Sequence, residues 1–189
     1  MNYLIVVAHP NQNWFVHRIA KTIQQTLQKN PDNSIEILDL YRSPLRQNFL
    51  ELDENNRFVD EPSREAIQQK ISRAHEIIFA FPVWWIDAPA ILKNFFDQNI
   101  TAGFAYKYID GKLNKFLTEK KARLFITTWA PKFIYYMGIF LPLYLSWAFG
   151  RLWYCGIKLQ WITAFNKMAP SPSEEQRQEW LSTVEKIYS

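Results

Sequence analysis

The chain has 189 residues, a hydrophobic content of 48% and a net charge of +4, enough for one domain with a sizeable core. Its Lys and Arg are interleaved with acids rather than gathered in a stripe, which argues against a nucleic-acid partner. Cys155 is the only cysteine and there are three histidines; this excludes an intrachain disulfide and a cysteine-rich metal site, leaves no metal constellation, and suits a reducing compartment.

The opening MNYLIVVAHP lacks a basic leader, and its apolar run is shorter than the roughly seven to fifteen residues of a secretory core segment, so a cytoplasmic protein is expected. Residues 3–8, YLIVVA, read as a strand covered on both faces, and His9-Pro10 stops it. From Trp14 to Lys29, Phe15, Ile19, Ile23 and Leu27 recur every four residues and predict a helix. Ile35–Leu40 is a second strand, and residues 41–61 read as a polar connection. Pro62–Ala74 is a second helix, with His17 and His75 predicted on solvated surfaces. Glu76–Phe81 is a third strand. Pro89 suits the first turn of the helix Ala90–Asn99, where its missing N–H has no helical partner. Residues 100–121 read as loop, Ala122–Thr128 as a fourth strand and Ile157–Phe165 as a fifth. The loop APSPS leads to a last helix, Glu174–Ile187, with Ser173 and Gln176 spaced as a capping box. Phe133–Phe149 carries no charge over about 17 residues, the lower limit for a membrane span. Pro142 and its tyrosines favour a buried or dimer-facing helix instead.

Strands alternating with helices predict a doubly wound five-stranded parallel sheet in a single three-layer α/β/α domain, with right-handed crossovers. Ligands of such sheets sit beyond the carboxyl ends of the strands at the switch point of strand order. Three loops therefore matter most: HPNQNWF at 9–15, FPVWWID at 81–87 and TTWAP at 127–131. They offer His9, a helix start at Trp14-Phe15, the rings of Trp84 and Trp85, and the hydroxyls of Thr127 and Thr128. A helix start favours phosphate, and rings with backbone amides suit a flat heteroaromatic group, so the combination points to a nucleotide-like cofactor, most naturally a flavin. No Ser/His/acid or Cys/His set is evident, and neither G-x-G-x-x-G nor a Walker loop is present.

Three patterns carry a family resemblance across nearly the whole chain: AHP followed by Phe15 and a helix, FPxxWxxxPAxLKxxxD at 81–97, and GFAYKY at 103–108 followed by the strand ending ITT at 126–128. In this order they resemble the flavodoxin-like NAD(P)H:quinone oxidoreductases, the DT-diaphorase group and its bacterial relatives. The resemblance implies that His9 and Phe15, with the amides of Trp14 and Val16, hold the flavin phosphates and ribityl chain. It implies further that Pro82, Val83, Trp84, Trp85 and Ile86 wrap one edge of the ring system, and that Thr127, Thr128, Trp129 and Ala130 flank the other. Tyr135 falls where the family places a tyrosine that hydrogen-bonds the flavin during hydride transfer. Tyr106 and Tyr108 match substrate-cavity positions contributed across a homodimer interface. The implied chemistry is ping-pong, from NAD(P)H to a quinone-like acceptor, with FAD ahead of FMN as the cofactor and the protein orienting and polarising it.

The chain also departs from that pattern. Trp14-Phe15-Val16 stands where the family has Ser-Phe-Asn, which leaves phosphate binding to backbone amides. Trp129-Ala130 replaces Gly-Gly, and Leu141 replaces a histidine. Two other functions on the same fold are a non-catalytic regulatory or sensor subunit, which would dock through 133–149, and a flavodoxin-type electron carrier, against which the lack of an acidic surface counts.

Overall fold

The computed structural model describes residues 1–59, 61–168 and 172–189. In chain order the elements are β1 (Asn2–Val7), α1 (Phe15–Leu27), β2 (Ser34–Asp39), α2 (Ser63–Arg73), β3 (Glu76–Pro82), α3 (Ala90–Asn99), β4 (Tyr106–Ile109), β5 (Lys112–Lys115), β6 (Lys121–Thr127), a composite helix over 132–153, β7 (Lys158–Phe165) and a C-terminal helix, Glu174–Tyr188. Part of the predicted loop APSPS, residues 169–171, lies outside the described residues. Five strands pair in parallel in the order β2-β1-β3-β6-β7. The strand order reverses at β1, so the crevice beyond the ends of β1 and β3 is the switch point. Pro82 pairs in register with Thr127, which sets the loops after β3 and β6 side by side.

The period-2 alternation of strand side chains divides the core. Leu4, Val6, Ile77, Phe79 and Phe81 face α2, α3 and the composite helix. Ile5, Val7, Ile78 and Ala80 face α1 and the C-terminal helix. The whole predicted stripe of α1 is buried, each side chain contributing about 1.5–3 kcal/mol of transfer free energy. At the C-terminal helix, Ser173 Oγ accepts the Gln176 N–H at 3.2 Å, which is one half of the capping box.

One element differs from the sequence expectation. Inside the stretch read as loop, β4 and β5 form an antiparallel hairpin around Asp110-Gly111, whose φ values of 50° and 73° meet the positive-φ demand of a tight two-residue turn. The apolar segment becomes a helix with two opposite faces. Tyr135, Ile139, Leu143 and Trp147 are buried, whereas Phe133, Met137, Leu141, Leu145, Phe149 and Trp153 are exposed. It runs as π-helix over Tyr135–Ile139 and Ser146–Trp153. Pro142 has no N–H to return to Gly138 and its ring crowds that carbonyl; a wider turn just before it relieves the clash. Among the described residues, no helix is long and apolar enough to cross a membrane.

Gly156 ends the composite helix at φ +91°, and a Cβ there would stand 2.8 Å from Thr118 Cγ2 and 3.1 Å from Thr118 Cα. Gly156→Ala is expected to cost about 1–3 kcal/mol of stability, from left-handed backbone strain and the clash together. A urea midpoint equal to that of the parent chain would contradict this.

Candidate functional site

At the switch point, His9, Asn11, Trp14, Pro82, Val83, Trp84, Thr127, Thr128, Trp129 and Met168 line a cleft of about 400 Å³. Each comes from the carboxyl end of a strand or the loop after it. Val83 N–H reaches Thr127 O at 2.8 Å, Thr128 N–H reaches Phe165 O at 2.9 Å and Met168 N–H reaches Thr128 O at 3.1 Å, so backbone bonds tie the ends of β3, β6 and β7 into one wall. Thr128 Oγ1 accepts the Ala130 N–H at 3.1 Å, which turns the chain and leaves the Trp129 ring 63% exposed.

The floor of the cleft is His9, almost fully buried. Trp14 lies flat against its ring, with centroids 5.2 Å apart and planes 6° from parallel, and Trp84 tilts toward it at 6.1 Å. The Asn11 N–H points at His9 Nδ1 from 3.0 Å. A neutral ring accepting that bond carries its proton on Nε2 and can donate there. The His9 carbonyl is held at 3.2 Å by both Arg42 Nη1 and His17 Nε2. His17 is therefore not the solvated residue expected; it also lies 3.9 Å from Asp39, beside the Arg42–Asp39 pair at 3.2 Å.

Burial first, then the nearby His17 and Arg42 charges, hold the His9 pKa below 6.5, opposed by the Asn11 carbonyl. Between the folded value and 6.5 the unfolded chain binds more protons, so this contribution to stability is complete above that range and is lost as pH falls through it. His9→Gln is expected to narrow the difference in urea midpoint between about pH 7.5 and pH 5.5. A difference as wide as before would assign the acid sensitivity to other groups.

The start of α1 opens on the same crevice. Trp14 supplies no side-chain cap, and among the described residues no acceptor meets the Phe15 or Val16 N–H. Unpaired donors at the positive end of a helix dipole favour an anion. Past Trp14 the cleft continues into a second cavity of about 270 Å³, lined by Asn11, Asn13, Trp14, Phe15, Arg18, Met168 and Arg177. Arg18 is engaged there by Glu174 through two bonds of 2.6 and 2.9 Å. Arg177 Nε is buried without a partner among the described residues.

The loop after β3 is a tight turn. Trp84 and Asp87 exchange backbone hydrogen bonds of 2.8 and 3.0 Å, and between them Trp85 and Ile86 take φ of 52° and 65°. Such turns ordinarily use Asn-Gly; a tryptophan and a β-branched isoleucine in the left-handed region cost of order 1–3 kcal/mol each. Strain of this kind persists where the surroundings impose it.

Of the residues predicted for the cofactor, His9, Trp14, Pro82, Val83, Trp84, Thr127, Thr128 and Trp129 converge on the cleft. Phe15 lines the adjoining cavity, while the Val16 side chain and Ala130 are in the core. Trp85, wholly exposed, and Ile86 occupy the turn tip. Tyr135 is buried, and its hydroxyl has no partner among the described residues. Tyr106 and Tyr108 lie elsewhere: Tyr106 packs edge-on to Tyr154 at 4.7 Å and lines a separate cavity of about 480 Å³, while Tyr108 is exposed on the hairpin. Asn11, Met168 and Arg177 joined the site without being predicted. Asn11 lay inside a loop already singled out, whereas Met168 and Arg177 are brought in only by the packing of β7 and the C-terminal helix.

The residues fit a flavin in kind: unpaired amides at a helix start for phosphate, an aromatic and apolar cleft for a ring system, and an orphaned buried hydroxyl nearby in sequence. An uncharacterized NAD(P)H oxidoreductase of Haemophilus influenzae is 37% identical over 134 residues, covering 67% of this chain and 64% of that protein. The FMN-dependent NADH:quinone oxidoreductase of Macrococcus caseolyticus is 30% identical over 144 residues, covering 64% of this chain and 66% of its own. The chain thus spans just under two thirds of the length of both curated relatives. The crystal structure of Smu.1420 from Streptococcus mutans superposes with a TM-score of 0.81 at 29% identity, covering 100% of this chain and 98% of that one. A family model described as the flavodoxin-like fold matches residues 1–187, and the chain belongs to that family.

Proposed function

We propose that this chain is a flavin-dependent NAD(P)H oxidoreductase acting on quinone-like acceptors, with the flavin in the switch-point cleft. The observation that carries the reading is the opening of the uncapped α1 start onto an aromatic-walled cleft at the β1/β3 switch point. The names of the relatives agree with it: NAD(P)H oxidoreductase, and FMN-dependent NADH:quinone oxidoreductase.

In this reading the Phe15 and Val16 amides, with His9 Nε2–H, bind the phosphate. Pro82 to Ile86 and Thr127 to Ala130 hold the two edges of the ring system. When bound, the flavin supplies two-electron transfer in two half-reactions, one with NAD(P)H and one with the acceptor. Tyr135 donates a hydrogen bond: burial, reinforced by neighbouring Tyr136, holds its pKa far above that of an ordinary tyrosine, so it keeps its proton and serves as a donor rather than a base. The protein's other task is to exclude water, for which Trp14, Trp84 and Trp129 form the walls.

The cavity beyond Trp14, with Arg177 in it, has room past the phosphate position and favours FAD; FMN, which the Macrococcus caseolyticus relative is named for, is the alternative. The exposed row Phe133, Met137, Leu141, Leu145, Phe149 and Trp153 is the surface a homodimer would cover, and the hairpin carrying Tyr108 would reach the partner's cleft from there. Initial rates at several fixed acceptor concentrations test the mechanism. Parallel double-reciprocal lines are the ping-pong result, and intersecting lines would require both substrates bound together.

A further inference from the structure

We infer that Arg151 is a positioning residue for the strained turn at Trp84–Asp87, setting from the composite helix the loop on which the proposed flavin site depends. The inference rests on that reading of the cleft. Arg151 Nη2 donates to Asp87 Oδ2 at 2.6 Å, bridging residues 64 apart in sequence. The arginine side chain is only 11% exposed. Its other terminal nitrogen donates to Ser146 Oγ, and its guanidinium lies 5.2 Å from the Trp147 ring centre and 5.9 Å from that of Phe96. The donor is therefore held by packing and by a second bond before it meets the loop, and an oriented guanidinium loses little freedom in making the contact.

Asp87 is where that grip takes effect. Its Oδ1 accepts the Ala88 N–H at 2.7 Å, fixing the exit from the turn, and its backbone closes the turn with Trp84 in both directions. The two residues between them sit at positive φ, where neither side chain is at ease. Nothing in the local sequence chooses this geometry, since no glycine or asparagine stands at either central position. An outside constraint must hold it, and among the described residues the Arg151–Asp87 bond is the hydrogen bond that reaches the turn from another element. Released, Trp85 and Ile86 would relax toward negative φ, and Trp84 would swing out of the cleft wall it forms with Val83 and Pro82. The strained loop and the burial of Arg151 are thus two halves of one device.

Arg151→Met keeps an apolar stem against Trp147 while removing the charge and the fork. In flavin-free protein, amide hydrogen exchange at Trp84 and Asp87 is expected to rise about tenfold, with β3 and α3 amides unchanged, and the dissociation constant of added FAD to rise about tenfold, equivalent to about 1.4 kcal/mol. Arg151→Lys should recover part of both effects. The Arg151→Met/Asp87→Asn double variant should be no worse than Arg151→Met, because the pair acts as one unit. A purely structural role would instead speed exchange throughout the composite helix. Exchange at 84 and 87 that stays slow in Arg151→Met overturns the inference whatever the flavin does, and so does faster exchange with FAD affinity unchanged. A parent chain that takes up no FAD and no FMN overturns the proposed function instead, and the exchange measurement tells the two failures apart.

Discussion

Replacing Trp147 with alanine is expected to lower the free energy of unfolding by about 3–5 kcal/mol, the range for removing a large aromatic side chain from a close-packed core. Trp147 has no exposed surface. Phe81 stacks on it at 5.0 Å and 14°, Phe79 meets it at 5.1 Å, and Phe96 stands edge-on at 5.3 Å. It thereby joins three elements: the central strand β3, helix α3 and the composite helix. The Arg151 guanidinium rests on the same ring, so the cavity left by alanine would also loosen the residue that grips the turn after β3. Trp147→Phe should cost much less, because its Nε1 has no partner to lose among the described residues and phenylalanine leaves only part of the volume empty. Urea denaturation of the two variants checks the order. A loss below about 1 kcal/mol for the alanine variant would mean that the aromatic cluster collapses around the gap.

Tyr135→Phe carries opposite expectations for stability and for chemistry. The hydroxyl is buried with no partner among the described residues, and an unsatisfied buried polar group costs about 1–3 kcal/mol. Deleting it should therefore stabilise the flavin-free chain by roughly 1 kcal/mol, a gain seldom seen when a core residue is altered. In the proposed enzyme the same hydroxyl is the hydrogen-bond donor to the cofactor, so the variant should bind flavin almost as well but accept hydride from NAD(P)H about ten- to a hundredfold more slowly. Stopped-flow absorbance and thermal melts of one preparation provide both readings. A reduction rate equal to that of the parent chain removes Tyr135 from the mechanism.

Much of the fold was legible because its determinants are local. YLIVVA could only be a strand covered on both faces, and the four-residue spacing of Phe15, Ile19, Ile23 and Leu27 could only be one helical stripe. The hairpin at 106–115 was not legible: its strands are four residues each, too short for a clear alternating run, and Asp110-Gly111 by itself marks only a turn. In 133–153 the apolar content hid the pattern: buried and exposed rows are both hydrophobic, so no polar face marks which side meets the sheet. The cleft was legible where loops follow strands directly, as at His9, Trp84 and Thr127. It was not legible where tertiary packing overrides local preference. Trp85-Ile86 has no turn chemistry, and its positive φ values answer to Asp87 and a distant arginine. Arg177 reaches the site from the C-terminal helix, 162 residues after Phe15, and no spacing rule links them.

The proposed function depends on the cleft taking a flavin, and the absorbance spectrum of the purified chain, alone and after adding FAD or FMN, tests that directly. Flavin bands are expected to stay with the protein through gel filtration and to bleach on anaerobic addition of NADH or NADPH. A protein that remains colourless in excess of either flavin would contradict it.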